Sequence, residues 1–244
     1  LQANAINNTG TTTVRGGTFS IDNTDSNGIV NTGKLRVEKS GSNRTVFTLN
    51  QVANSTAANA IRNDSSTPAE VYGAQFNINP DKSNGILNLN ASVLTVSGNE
   101  FNVSGTKSNG ISNPGSGTIH VEGTDNKFYI SGGEASGIHN NGTVSATNFL
   151  FDINRNATPV GTKSSGIINA VSGLVSLSSG IFNVYQNQSN GVDNANAGTV
   201  SLDTVTFNIG DTTPGNSYNN AYQSTGVRNN GTLEAKNSKF VVNA

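Results

Sequence analysis

Short runs of alternating hydrophobic and polar residues recur along the whole chain, and no stretch has the spacing of an amphipathic helix. The clearest run follows a phrase of the type SNGI, in which a small residue precedes an aliphatic one. Aligned on that aliphatic residue, the chain contains nine repeats that begin 23 to 35 residues apart. The aliphatic residues are Ile6, Ile29, Ile61, Ile86, Ile111, Ile138, Ile167, Val192 and Val227. Self-similarity at this spacing predicts a repeat architecture.

Each repeat contains two further runs with a period of two residues. The middle run, for example 35–37 or 119–121, alternates apolar and polar residues. The last run has a phenylalanine two positions before an aliphatic residue, and only Phe149 falls outside this set. Its phenylalanines are Phe19, Phe47, Phe76, Phe101, Phe128, Phe151, Phe182, Phe207 and Phe240. Because Gly, Asn, Pro and Ser separate the runs, the pattern predicts three short strands in each repeat.

Three short strands in about 25 residues are typical of one coil of a parallel β-solenoid. We therefore predict an all-β fold of about nine coils, in which residues 1–244 form a single solenoid domain. Parallel crossovers favour a right-handed coil. At about 4.8 Å between stacked strands, nine coils would make a rod about 40 Å long.

Stacked coils place equivalent side chains directly over one another, which predicts an inward aliphatic ladder and an inward Phe ladder. An Asn stands two residues after every aliphatic anchor, at Asn8, Asn31, Asn63, Asn88, Asn113, Asn140, Asn169, Asn194 and Asn229. We expect this column at a bend, with left-handed backbone and with amides bonded from coil to coil. The Gly before the anchor, replaced only by Ala5 and Ala60, is expected to supply a positive φ.

This pattern resembles the right-handed parallel β-helix proteins, and its Asn ladder is similar to that of the pectate lyases. Its low charge, lack of Cys and coils rich in Asn, Thr and Ser look like the passenger domains of bacterial autotransporter adhesins. That resemblance implies a secreted or bacterial cell-surface protein, held at the outer membrane through other regions of a longer chain. It also implies attachment to host ligands or self-association, with aggregation and biofilm formation as the outcome.

Composition excludes several other functions. Charged residues make up 12% of the chain, the net charge is −1 and no basic tract occurs, which argues against nucleic-acid binding. No apolar stretch is long enough to cross a membrane as a helix, so we expect no membrane insertion by this segment. The absence of Cys excludes disulfides and thiolate metal sites. Neither a cofactor nor a metal is expected.

The candidate ligand site follows from three insertions in the turn between the Phe run and the next anchor. Since they occupy the same turn of the repeat, the insertions should emerge along one edge of the rod. Exposed Tyr with Asn and Thr suits contact with a host glycan or with a surface or matrix protein, because the rings can stack and the amides can form hydrogen bonds. The candidate residues at this edge are Tyr185, Tyr218, Tyr222, Asn154 and Arg155. Outward Asn, Thr and Ser columns would alternatively let sister molecules associate side to side through many weak contacts.

Two other functions stay open. A polysaccharide-active β-helix enzyme, either a lyase or a glycosidase, needs converging acids or a base beside an acid. Asp152 should have Tyr129 and Asn183 as its column neighbours, without a second acid. Glu122, Asp125 and Glu134 fall in turns, and His120 and His139 lie on different strands, so no catalytic residue is assigned. The remaining alternative is a purely structural stalk.

Overall fold

The computed structural model describes residues 3–23, 25–50, 57–155, 163–185, 188–210 and 223–243. In these ranges the chain forms twenty-seven β-strands and no helix, so each sequence repeat contributes three strands. Every strand pairs in parallel with the equivalent strands of the coils before and after it. The predicted all-β parallel solenoid is therefore confirmed.

The strands, numbered in chain order, form three sheets of nine strands. The first sheet contains β1 (Asn4–Asn8), β4 (Asn27–Asn31), β7 (Asn59–Asn63), β10 (Asn84–Asn88), β13 (Asn109–Asn113), β16 (Ser136–Asn140), β19 (Ser165–Asn169), β22 (Asn190–Asn194) and β25 (Thr225–Asn229). The second contains β2 (Thr11–Arg15), β5 (Lys34–Glu38), β8 (Ala69–Tyr72), β11 (Val93–Ser97), β14 (Thr118–Glu122), β17 (Thr143–Thr147), β20 (Leu174–Ser178), β23 (Thr199–Asp203) and β26 (Thr232–Lys236). The third contains β3 (Gly17–Ile21), β6 (Thr45–Leu49), β9 (Gln75–Ile78), β12 (Glu100–Val103), β15 (Asn126–Ile130), β18 (Phe149–Ile153), β21 (Ile181–Val184), β24 (Thr206–Ile209) and β27 (Lys239–Val242).

The aliphatic and aromatic ladders have the register that the repeat predicts. Each of the nine anchors pairs with the next anchor along the first sheet. The nine phenylalanines stack face to face, with ring centroids 4.4–5.1 Å apart. Phe149 lies beside this column and meets Phe151 and Phe182 edge-on at 5.5 and 5.3 Å. One continuous apolar core thus runs through the stacked coils.

The nine-residue Asn ladder is also confirmed, and it is hydrogen-bonded at every step. The Nδ2 of each Asn donates to the Oδ1 of the Asn in the following coil, over 2.6–3.2 Å. Most of these amides also donate to a backbone carbonyl of the adjacent turn, as Asn113 does to Gly117 over 2.8 Å. The ladder therefore satisfies backbone carbonyls that the tight corner would otherwise bury unpaired.

The expectation of left-handed backbone at this Asn column is wrong, since none of its nine residues has a positive φ. The left-handed position lies instead four residues before the anchor. It is occupied in seven coils by long or acidic side chains, namely Asp25, Lys82, Lys107, Glu134, Lys163, Gln188 and Gln223, with φ between 54° and 64°. The corner therefore begins one residue before the SNGI phrase, where these side chains extend from the surface.

The Gly before the anchor also has a different role from the one expected. None of the seven glycines at this position has a positive φ. A Cβ on Gly137 would lie 2.4 Å from Cε1 of Phe151 and 2.8 Å from the carbonyl oxygen of Gly166. The column is glycine-rich because the Phe ladder and the next coil crowd this position in most coils, although Ala60 places a buried methyl group there in one coil.

Replacing Gly137 by alanine is expected to lower the free energy of unfolding by about 1–3 kcal/mol, because the methyl group overpacks the core. The control is Gly98→Asn, since Gly98 has a φ of +63° and a Cβ there would meet nothing closer than 3.7 Å. Asn tolerates this conformation, so we expect a cost of less than about 1 kcal/mol. Chemical denaturation followed by circular dichroism measures the stability of both variants. A larger loss for Gly98→Asn than for Gly137→Ala would contradict the packing explanation.

A second polar ladder, formed by the Asn of the SNGI phrase, was missed by the sequence reasoning. Asn27, Asn59, Asn84 and Asn109 each donate through Nδ2 to the Oδ1 of the equivalent Asn in the preceding coil, over 2.8–2.9 Å. Ser136 continues the column by donating to Asn109 over 2.6 Å. These amides donate in the opposite direction along the rod from those of the first ladder.

Candidate functional site

The candidate ligand site lies where the third sheet turns into the first sheet, and we call this turn the loop edge. Arg155 and Tyr185 lie there, directly after β18 and β21. Tyr218 and Tyr222, the two tyrosines of the longest insertion, lie outside the described residues. The structure therefore places three of the five predicted site residues, namely Asn154, Arg155 and Tyr185.

Arg155 and Tyr185 form a cation–aromatic pair at the loop edge. The guanidinium carbon of Arg155 is 5.7 Å from the centroid of the Tyr185 ring, and 62% of the Arg155 side chain is exposed. Its Nη1 lies 3.6 Å from Oδ2 of Asp152, whose side chain is only 4% exposed. Asn183 donates to the other oxygen of that carboxylate over 2.5 Å. An exposed arginine thus lies over an aromatic ring and within ion-pair distance of a buried acid.

Asn154, the third of these residues, does not face a ligand. Its side chain is fully buried, its φ is +60°, and its Nδ2 donates to the Oγ of Ser189 over 2.8 Å. Its backbone N–H donates to the carbonyl of Ile130 over 2.6 Å. Asn154 therefore shapes the corner that presents Arg155, in the way that Asn commonly occupies left-handed turns.

A groove beside the loop edge was not anticipated from the sequence. It has a volume of 360 Å³ and is lined by Lys163, Gln188, Asn190, Asp193, Gln223, Thr225 and Arg228. Asn190 belongs to the second polar ladder, and Lys163, Gln188 and Gln223 belong to the left-handed column. The sequence feature that could have indicated this groove is the recurring Asn of the SNGI phrase, together with the polar residue that precedes the phrase. We call this depression the amide groove.

Charges in the amide groove are largely paired. Arg228 donates to both carboxylate oxygens of Asp193, through Nε over 2.8 Å and through Nη2. These hydrogen bonds raise the pKa of Arg228 above its ordinary value. Gln188 donates to Gln223 over 3.3 Å. Lys163 has no ion pair within the described ranges, so the groove offers amides and one unpaired ammonium group.

The structure does not bring together the groups considered for catalysis. Asp152 has Tyr129 and Asn183 as its register neighbours, as predicted. Glu134 pairs instead with Lys107 over 3.6 Å. Burial lowers the pKa of His139, which favours its neutral form. In the part of the chain that the structure describes, no three His, Asp or Glu side chains are grouped so that they could hold a metal ion.

Outward side chains of adjacent coils lie in register, as Arg36 does with Glu70 and Asp193 with Arg228. Arg36 donates to Glu70 over 2.6 Å, whereas Glu100, the register neighbour of Lys127, lies 3.4 Å from Arg44. In the outward column of the third sheet, Asn102 donates to Asn77 over 3.0 Å. Such bonds within the molecule use part of the hydrogen-bonding capacity that side-to-side association would need. No described helix is long and apolar enough to cross a membrane.

Comparison of the chain with protein-family models, with curated proteins and with solved structures gives no significant match.

Proposed function

We propose that this chain is a non-catalytic segment of a cell-surface adhesin, and that the loop edge contacts its ligand. The observation that supports this most directly is the exposed Arg155, which lies over the Tyr185 ring and within ion-pair distance of the buried Asp152. Arginine and tyrosine are, with tryptophan, the residue types most enriched among the residues that dominate recognition surfaces. A fixed guanidinium loses less conformational entropy on binding than a mobile one.

The position of this pair also suits adhesion. Solenoids present extended surfaces on rigid coils, and function concentrates in their turns and loops. The amide groove lies on the first sheet just beyond the loop edge, so a ligand could contact both. Amide groups and an aromatic ring suit the hydroxyl groups and faces of a sugar, and equally the backbone of a protein.

The partner in this proposal is a host glycan, a host surface or matrix protein, or a sister molecule. The segment would act at a bacterial surface or after secretion, anchored through regions outside this sequence. Weak contacts at one site would be strengthened by multivalency when many copies are displayed together.

The test is to display the chain on non-adherent bacteria and to measure attachment to a glycan array and to immobilised fibronectin and collagen. We expect the Arg155→Ala, Tyr185→Ala double variant to lower attachment about tenfold, which corresponds to about 1.4 kcal/mol. Arg62→Ala is the matched control, because Arg62 is also a surface arginine paired with a nearby acid, Asp64 at 3.0 Å. It should leave attachment unchanged.

Three results would contradict the proposal. If the double variant attaches as well as the unmodified chain, the loop edge does not bind the ligand. Depolymerised glycan, detected on the same array and abolished by one carboxylate substitution, would establish the enzyme alternative. No attachment and no aggregation of the displaying cells would support a structural stalk.

A further inference from the structure

A second groove lies on a different corner of the rod, where the second sheet turns into the third. It has a volume of 690 Å³ and spans coils two to five. Its lining residues are Glu38, Lys39, Arg44, Tyr72, Gly73, Ser97, Gly98, Gly123, Thr124, Asp125 and Lys127. We call it the corner groove, and no residue of the loop edge contributes to it.

The corner groove exists because one coil has a long turn and the next coils have short ones. Six residues, 39–44, separate β5 from β6, and Ser40 and Asn43 exchange backbone hydrogen bonds of 2.9 and 3.0 Å across this turn. Two residues suffice between β8 and β9 and again between β11 and β12. The first of each pair, Gly73 or Gly98, has a φ near +65°, a conformation that glycine adopts without strain.

Glycine at the short turns also makes room for a side chain from the coil below. A Cβ on Gly73 would lie 2.2 Å from Cε of Lys39, so the stem of Lys39 lies directly against the Gly73 backbone. Arg44 extends from the other end of the same long turn and places its Nη1 3.4 Å from Glu100, two coils further along. Both ends of the long turn therefore direct cationic side chains across the bare glycine turns.

Among the residues that line the corner groove, the positive charges outnumber the negative ones. Glu38 accepts hydrogen bonds from Arg15 and Arg36, both over 2.6 Å, so its charge is already neutralised. Lys39 and Lys127 have no ion pair among the described residues, and neither has Asp125. Two ammonium groups without an ion pair and a loosely paired guanidinium thus line the groove together with one unpaired carboxylate. Glu122, the register neighbour of Ser97, adds a second negative charge at the edge of the groove.

The remaining lining favours a sugar over a peptide. Apart from the tyrosine ring, the groove has no apolar side chain, so it lacks the pockets that anchor peptide side chains. It offers instead the hydroxyl groups of Ser97, Thr124 and Tyr72, the exposed backbone of Gly123, and the edge of a ring whose face is covered by Arg36 at 5.0 Å. Hydroxyl-rich ligands match such donors and acceptors.

We propose that the corner groove binds an acidic oligosaccharide, with a carboxylate or sulfate group of the sugar held by Lys39 and Lys127. Ammonium groups bind such anions as compact point charges, so either acid group is compatible. This site is separate from the loop edge, and the proposal does not depend on the adhesin function.

The test is calorimetric titration of the chain with trigalacturonic acid, with a heparin-derived tetrasaccharide and with maltotriose as the neutral sugar. We expect at least one acidic probe to bind and maltotriose not to bind. The Lys39→Gln, Lys127→Gln double variant should weaken that binding at least about tenfold. Binding should also weaken as the salt concentration rises from about 0.05 to about 0.5 M, because screening shortens the range of the charges.

Two controls separate this proposal from the previous one. Lys163→Gln removes an unpaired lysine from the amide groove and should leave binding of the acidic probe unchanged. The Arg155→Ala, Tyr185→Ala variant should also bind the probe normally, even if adhesion is lost. Binding of maltotriose as tight as that of the acidic probes, no binding of either acidic probe at about 1 mM, or full binding by the double lysine variant would overturn the inference.

Discussion

Replacing Phe128 by alanine is expected to lower the free energy of unfolding by about 3–5 kcal/mol, the largest effect of any single substitution considered for this chain. The ring is fully buried and stacks on Phe101 at 4.7 Å and on Phe151 at 4.4 Å. Its removal leaves a cavity in the middle of the column, and both neighbouring rings lose a stacking partner. Denaturant titration followed by circular dichroism measures the change.

The control for this prediction is Phe240→Ala. Phe240 belongs to the same column but is 48% exposed and stacks on one described ring only, Phe207 at 4.9 Å. Its replacement should cost about 1 kcal/mol, in proportion to the smaller apolar area that it buries. Equal losses for Phe128 and Phe240 would show that the stacked core does not dominate stability.

Asn113→Ala should lower the free energy of unfolding by about 3 kcal/mol, because it leaves several buried polar groups without partners. Asn113 accepts from Asn88 over 3.2 Å and donates to Asn140 over 2.9 Å and to the Gly117 carbonyl over 2.8 Å. Water cannot replace these bonds easily, since the residue is fully buried. Hydrogen exchange should increase at Thr118 and Thr143, the first residues of the neighbouring strands.

Asn102→Ala is the matched control for the ladder. Asn102 also donates to an Asn of the preceding coil, Asn77, over 3.0 Å, but it lies on the outer surface. Water can replace the lost hydrogen bond to Asn77, so the free energy of unfolding should fall by no more than about 0.5 kcal/mol. A loss as large as that of Asn113→Ala would contradict the argument from burial.

Most of the fold could be predicted from the sequence because stacked coils require the same side chain at the same place. The Phe and Asn columns are visible as repeats, and their spacing sets the register directly. The roles of Gly137 and of the residues before SNGI could not be predicted in this way. A glycine can be needed for its backbone conformation or because there is no space for a Cβ. The second reason depends on how closely a ring such as Phe151 approaches, and that distance is set by the tertiary structure.

The sites were less predictable than the scaffold. The insertions indicated the loop edge, and the pairing of Arg155 with Tyr185 agrees with that position. Asn154 looked equally suitable by residue type, but its side chain turns into the corner. The corner groove depends on one long turn beside two glycine turns, a combination of neighbouring coils that no single repeat contains.

The two Asn ladders have a consequence for the electrostatics of a long rod. Each side-chain amide carries a dipole, and dipoles aligned in one column would add up as they do in a helix. The bond from Asn8 to Asn31 points towards later coils, whereas the bond from Asn27 to Asn4 points towards earlier ones. The two columns therefore oppose each other over the first five coils, where both consist of Asn. Adding coils that carry both residues would lengthen the protein without building up a field along its axis.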